Sequence, residues 1–220
     1  VGRNALDANT EGQTNTAVGQ SALSSNTTAN DNTAVGNAAL TSNVTGARNT
    51  AVGEAALAAN TGSENTAVGE NALCKNVGGQ CNTGLGARAL CCNTSGDNNV
   101  GVGYLTLYKN TTADNNVGVG VIALRDNTTG EKNVAVGNTA LQGNTTASNN
   151  TAVGFCSLNA NTTAPDNVAV GFEAMLTNTT GCRNVAVGKR SLKLNTEGCD
   201  NLAIGLSALG ANTTGDFNTG

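Results

Sequence analysis

Small apolar residues, large apolar residues and amides hold fixed columns along this chain, and the columns return every seventeen residues. Count the Asn that opens each copy as position 0. Val then stands at position 3 in eleven copies, with Leu85 and Ile204 in the other two. Gly fills position 4 in all thirteen copies, and Leu fills position 8 in twelve, with Met175 the exception. Asn occupies position 11 throughout, while positions 2 and 7 stay small. The opening Asn recurs from Asn15 to Asn218 in steps of seventeen, except for the sixteen residues from Asn49 to Asn65. A fixed period this short predicts a solenoid, in which each coil buries its apolar side only by stacking on the next.

Period-two alternation in Thr/Val-Ala-Val predicts a strand over positions 1–3, and a second short strand is expected around positions 7–10. Gly, Asn and Thr between them read as corners. The glycines at position 4, among them Gly19, Gly36, Gly53 and Gly137, relieve a bend where a side chain would clash or φ must be positive. Asn15, Asn32, Asn49 and Asn133 at position 0, with Asn26, Asn43, Asn127 and Asn144 at position 11, suit the other corners because Asn tolerates αL geometry. Stacked about 4.8 Å apart, these amides are expected to form ladders along the axis. The fold class expected is therefore all-β, a parallel β-solenoid (β-roll) of thirteen coils, roughly 60 Å long. The array runs unbroken over residues 1–220 with no distinct caps, which reads as an internal segment of a longer fibre.

Val at 3 and Leu at 8 are the only large constant apolar residues, so they are expected to form a thin core. Too little apolar area leaves water per ordered residue for a lone rod. Side-by-side packing of several rods, brought close along the Ala/Gly column, predicts a homo-oligomer. The single deletion, the only proline (Pro165) and most charge variation fall in positions 12–16, which reads as an exposed turn.

Composition narrows the function classes. Aromatics are 2% of the chain and His is absent, so neither an aromatic core nor His-based catalysis or metal ligation is expected. Asp and Glu wander between columns, unlike the fixed acidic column of a calcium-binding roll. No cluster interrupts the repetition as an active site would, so the sequence predicts no enzyme, no metal and no cofactor. The net charge of −4 and the lack of a basic stripe speak against nucleic acid, and no long apolar run predicts membrane insertion.

Three other features bear on chemistry. Cys74 and Cys91 share position 9, and Cys182 and Cys199 share position 15, each pair one period apart. Stacking would set each pair's Cα atoms about 4.8 Å apart, within disulfide range. Either these pairs cross-link adjacent coils in an oxidising compartment, or Cys merely fills small positions. Cys81, Cys92 and Cys156 have no such partner. Asn-x-Thr/Ser occurs at position 11 at Asn26, Asn43, Asn93, Asn110, Asn127, Asn144, Asn161, Asn178 and Asn212. It reads either as a glycan column or as corner chemistry matching the same pattern. Thr stands at position 12 in eleven copies and at position 13 in eight, an array with the regularity needed to meet ice or a crystalline polysaccharide.

Asn133-Val-Ala-Val-Gly137, Asn184-Val-Ala-Val-Gly188 and Asn201-Leu-Ala-Ile-Gly205 resemble the Asn-x-Val-Ala-Ile-Gly repeat of trimeric autotransporter adhesin heads. Similar repeats occur in phage and viral tail-fibre proteins. The resemblance touches every coil over about five residues; the repeat here is longer, adding an Ala-Leu-x-x-Asn-Thr-Thr-Gly half. It implies a left-handed roll, three chains side by side, on a cell or virion surface outside the cell, with a host-surface or glycan ligand. The function expected is thus a non-catalytic structural or adhesive fibre segment. The alternatives are an ice- or glycan-binding solenoid using the Thr column and an end-to-end self-assembling filament.

Overall fold

The computed structural model describes all 220 residues. Its only regular elements are twelve three-residue strands, one per coil. They are β1 (Thr16–Val18), β2 (Thr33–Val35), β3 (Thr50–Val52), β4 (Thr66–Val68), β5 (Thr83–Leu85) and β6 (Val100–Val102). The series continues with β7 (Val117–Val119), β8 (Val134–Val136), β9 (Thr151–Val153), β10 (Val168–Val170), β11 (Val185–Val187) and β12 (Leu202–Ile204). The fold is an all-β parallel solenoid built as two compact units, Val1–Ala113 and Asp114–Gly220. In the first, β1 to β6 pair in chain order, parallel and in register, Thr16 opposite Thr33 and Thr33 opposite Thr50. In the second, β7 to β12 do the same, and Thr219 adds a single bridge to Leu202.

Positions 7–10 do not form the second strand expected from the sequence. Ala22 and Leu23 are both buried, as are Ala39 and Leu40, and a strand sends neighbouring side chains to opposite faces. The backbone instead takes two successive turns, Ala22 N–H donating to Gly19 O and Asn26 N–H to Leu23 O. Positive φ at positions 6 and 8 makes this possible, for example 56° at Ser21 and 50° at Leu23. A non-glycine residue there costs roughly 1–2 kcal/mol. Fully burying a Leu side chain returns about 1.5–3 kcal/mol, so the strain at position 8 is carried by burial. The Asn residues at 0 and 11 are not the αL corners; that geometry falls at positions 6, 8 and 16.

The core also differs from the one expected. Each strand turns its middle residue inward and its outer two away, so Ala at position 2 is buried while Val at 3 faces out. The interior is made of Ala at 2 and 7, Leu or Met at 8, the amides at 0 and 11, and the small residue at 14, such as Ala29 and Ala164, inside the turn expected to be exposed. The small Ala/Gly column, expected to let rods approach, is therefore spent inside the coil. The sixteen-residue coil keeps register across its deletion, Thr50 pairing with Thr66.

Candidate functional site

The amide columns are the most connected part of the interior. In the coil opened by Asn32, the Gly46 carbonyl accepts from Asn32 Nδ2 at 2.9 Å and from Asn43 Nδ2 at 2.8 Å, so one oxygen ties both columns together. The position-0 amide oxygen then reaches the next coil. Asn32 Oδ1 accepts the Asn49 backbone N–H at 3.0 Å and Asn49 Nδ2 at 3.1 Å. Asn15 and Asn133 take the same part, receiving the backbone N–H of Asn32 and of Asn150. At position 11, Asn26 Nδ2 donates to Asn9 Oδ1 and Asn144 Nδ2 to Asn127 Oδ1, each at 2.8 Å. A buried amide that meets its bonding capacity costs little, whereas an unmet one costs 1–3 kcal/mol, so a complete ladder fixes coil register. The pattern lapses at Asn26 Oδ1 and Asn150 Nδ2, which are buried without a partner. The second lies in the coil of Pro165, where Ala164 O keeps the usual bond from Asn161 at 3.0 Å and accepts from Asn167 at 3.4 Å in place of Asn150.

The position-4 glycines are held by both backbone angle and space. At Gly19, Gly36, Gly53 and Gly137, φ lies between 135° and 139°. A Cβ on any of them would sit 2.3–2.5 Å from the carbonyl oxygen of the equivalent glycine in the next coil.

The glycan column is excluded by burial. Asn26, Asn43, Asn93, Asn110, Asn127, Asn144, Asn161 and Asn178 are fully buried. Their Nδ2 groups point into the ladder, as Asn110 shows by donating to Asn93 Oδ1 and Ala113 O. Asn212, half-buried, donates to Asn195 Oδ1 and Gly215 O. An attached sugar would have to displace these bonds. The position-12 Thr hydroxyls are engaged too, donating to the position-12 carbonyl of the next coil, as from Thr94 to Thr111 and Thr179 to Thr196. The position-12 column is thus no free ligand array, while the Thr side chains at position 13, such as Thr28 and Thr146, are exposed.

The structure holds all seven cysteines as free thiols. It places Cys74 Sγ 3.0 Å from Cys91 Sγ, and Cys182 Sγ 2.8 Å from Cys199 Sγ. The hydrogen bond from Cys91 holds the Cys74 thiol down to about 7, with Lys75 helping against burial and Cys92. Cys81 donates to Glu64 at 3.4 Å, and that carboxylate pushes its thiol up. No group of three or more Cys, Asp or Glu side chains is placed to hold a metal ion.

Sequence reading missed the outer face of the sheet. In either unit six strands each turn two side chains outward, and every one is Thr, Val, Leu or Ile. Val18, Val68, Val136, Val187, Leu202 and Ile204 are more than a third exposed. The signal was present, since residues i and i+2 of a strand share one face and position 2 is the small one. A second missed feature is the position-5 column in the second unit. There Phe155 and Phe172 stack at 5.5 Å between ring centroids, and Lys189 Nζ lies 5.6 Å from the Phe172 ring. Their seventeen-residue separation gave it away. Charges on the exposed turns pair between coils as well. Arg183 holds the Asp200 carboxyl below its usual range, and Lys193 with Arg190 does the same for Glu173. Compared with known proteins, the chain matches no family model, no curated protein and no solved structure.

Proposed function

We propose that this chain is a non-catalytic structural module of an extracellular fibre that packs side by side with further copies of itself through the outer face of its sheet. The observation that carries this reading is that face. Its outward side chains are Thr, Val, Leu and Ile, without one charge or amide, and they repeat in register. A contiguous uncharged patch of this kind marks a contact surface. Covering it with its counterpart removes apolar area from water, adding to an interior that buries only one large apolar side chain per coil. Three copies around one axis is the arrangement the resemblance to adhesin heads implies. Placement on a cell or virion surface and adhesion to a host or glycan rest on that resemblance alone.

Light scattering on the purified chain tests the packing. A mass that is a multiple of the monomer, lost when Val136 and Val153 both become Asp, is the expected result. A monomeric wild-type chain at high micromolar concentration overturns the reading. One observation supports a second reading, ice or crystalline-glycan recognition: Thr16, Thr33, Thr50, Thr66 and Thr83 form an in-register outward column in the first unit. Thr33→Lys with Thr50→Lys should abolish adsorption to ice if that reading holds; adsorption that is absent from the wild type removes it.

A further inference from the structure

We propose that Cys74 with Cys91, and Cys182 with Cys199, are oxidation sites at which a disulfide staples two successive coils, one staple in each compact unit. The inference stands on the placement of the thiols and is independent of the fibre reading. In each pair the sulfurs already lie 3.0 or 2.8 Å apart, and a disulfide needs about 2.05 Å, a closure within small rotations of the side chains.

The backbone beneath each pair is fixed by the stack and does not need to move. Leu73 N–H donates to Ala89 O at 2.9 Å before the pair and Lys75 N–H to Cys91 O at 3.1 Å after it, so the coils of the first pair are tied on both sides of it. In the second, Asp200 N–H donates to Cys182 O at 3.1 Å, and Asn201 N–H to Asn184 Oδ1 at 3.0 Å. The remaining cysteines are placed differently. Cys81 faces Glu64, Cys156 Sγ lies 3.0 Å from the Thr139 hydroxyl, and Cys92 stands in a column with Lys75 and Lys109. None of the three has a thiol in its column one coil away.

The oxidant the chemistry calls for is a low-molecular-weight disulfide. The Cys74 thiolate attacks one of its sulfurs and expels a small thiolate, leaving a mixed disulfide on Cys74. Cys91 then loses its proton and attacks the Cys74 sulfur, expelling the second small thiolate. Two protein thiols become one disulfide, and the two electrons reside in two small thiols. Cys74 is half-buried and open to the reagent, while Cys91, at the same position of the next coil, is buried with its sulfur 3.0 Å away, which favours intramolecular closure over a lasting mixed adduct. The Cys74 thiol, held down to about 7, supplies thiolate at neutral pH. The hydrogen bond within each pair pushes up the second thiol of the first pair, Cys91, and one thiol of the other pair, Cys182.

The test is to treat the folded 220-residue chain, reduced and desalted, with glutathione disulfide, then to count thiols by alkylation and map linked peptides by mass spectrometry. Seven thiols before treatment should become three, with Cys74–Cys91 and Cys182–Cys199 as the linked peptides. The Cys91→Ser, Cys199→Ser double variant should retain no cross-link and carry a glutathione adduct on Cys74 instead. Ser already stands in both columns, at Ser24 and Ser148, so folding is not at issue. Four thiols that stay free, or linkage through Cys92, Cys81 or Cys156, would overturn the proposal.

Discussion

Replacing Asn184 by Ala removes a side chain that uses its full bonding capacity. Its Nδ2 donates to Asn167 Oδ1 at 3.2 Å and Gly198 O at 2.8 Å. Its Oδ1 accepts the Asn201 backbone N–H at 3.0 Å and Asn201 Nδ2 at 3.1 Å. The two acceptors survive the loss, because Asn167 Oδ1 keeps the Asn184 backbone N–H and Gly198 O keeps Asn195 Nδ2. The donors do not fare alike. Asn201 Nδ2 keeps Gly215 O, but the Asn201 backbone N–H is left buried and unpaired. An orphaned buried donor costs about 1–3 kcal/mol, and the three weaker losses add about 1 kcal/mol between them. Asn184→Ala should therefore cost roughly 3 kcal/mol, a large share of the stability of a domain this size. Asn184→Asp is the sharper probe. It keeps both accepted bonds but turns a carboxylate oxygen toward Asn167 Oδ1 and Gly198 O. Burial and facing acceptors raise its folded pKa above the unfolded value of about 3.9. The folded state then binds the proton more tightly, so the variant loses stability as pH rises through that folded pKa and regains it as pH falls. Urea unfolding followed by circular dichroism at pH 7 and pH 4 measures both, with the exposed Thr180→Ala as reference. If Asn184→Ala shifts the midpoint no more than Thr180→Ala, the ladders are ornament and the argument fails.

Gly188→Ala should cost more than 3 kcal/mol or prevent folding of the second unit. Its φ is 132°, and the new Cβ would lie 2.3 Å from Gly205 O; a wild-type melting curve would refute the claim. Ile122→Asn should stabilise by about 1 kcal/mol, because a β-branched residue is held at φ 53° where Asn71 sits unstrained at the same position; a lower midpoint in urea counts against it. Alkylation of Cys74 should reach half its maximal rate near pH 7, and that of Cys81 above the ordinary thiol range. Glu64→Gln should bring the Cys81 profile down and leave Cys74 unmoved, as read by peptide mass spectrometry across pH.

The period and the strand at positions 1–3 were legible because each follows from residue type alone, whereas the turn at 12–16 proves exposed at position 13 but buries the small residue at 14, as at Ala29 and Ala164. What lay beyond reach was direction. A Val-Ala-Val strand can bury either its middle or its outer residues, and the larger pair looked like the obvious core. The choice falls to Ala because Leu23 and its equivalents fill the inner space, leaving room there only for a methyl group. Positive φ at Leu was equally illegible, since leucine avoids it elsewhere and only burial in the stack sustains it. The register of the thiols was readable from the count of residues, whereas the burial of the sequon amides was not, because Asn-Thr-Thr is written alike in a corner and in a ladder.

The short coil carries a lesson about length. Asn60 Nδ2 still reaches the Gly62 carbonyl at 2.7 Å with one residue fewer between them, and Asn76 still donates to Asn60 Oδ1 at 2.7 Å. The missing residue is the one at position 13, whose side chain elsewhere lies in solvent, as at Thr28 and Thr146. Position 13 is thus a seam at which the repeat can be shortened without disturbing its neighbours. By the same geometry it can be lengthened, so foreign peptides inserted there would be displayed at one coil's spacing on an undisturbed scaffold.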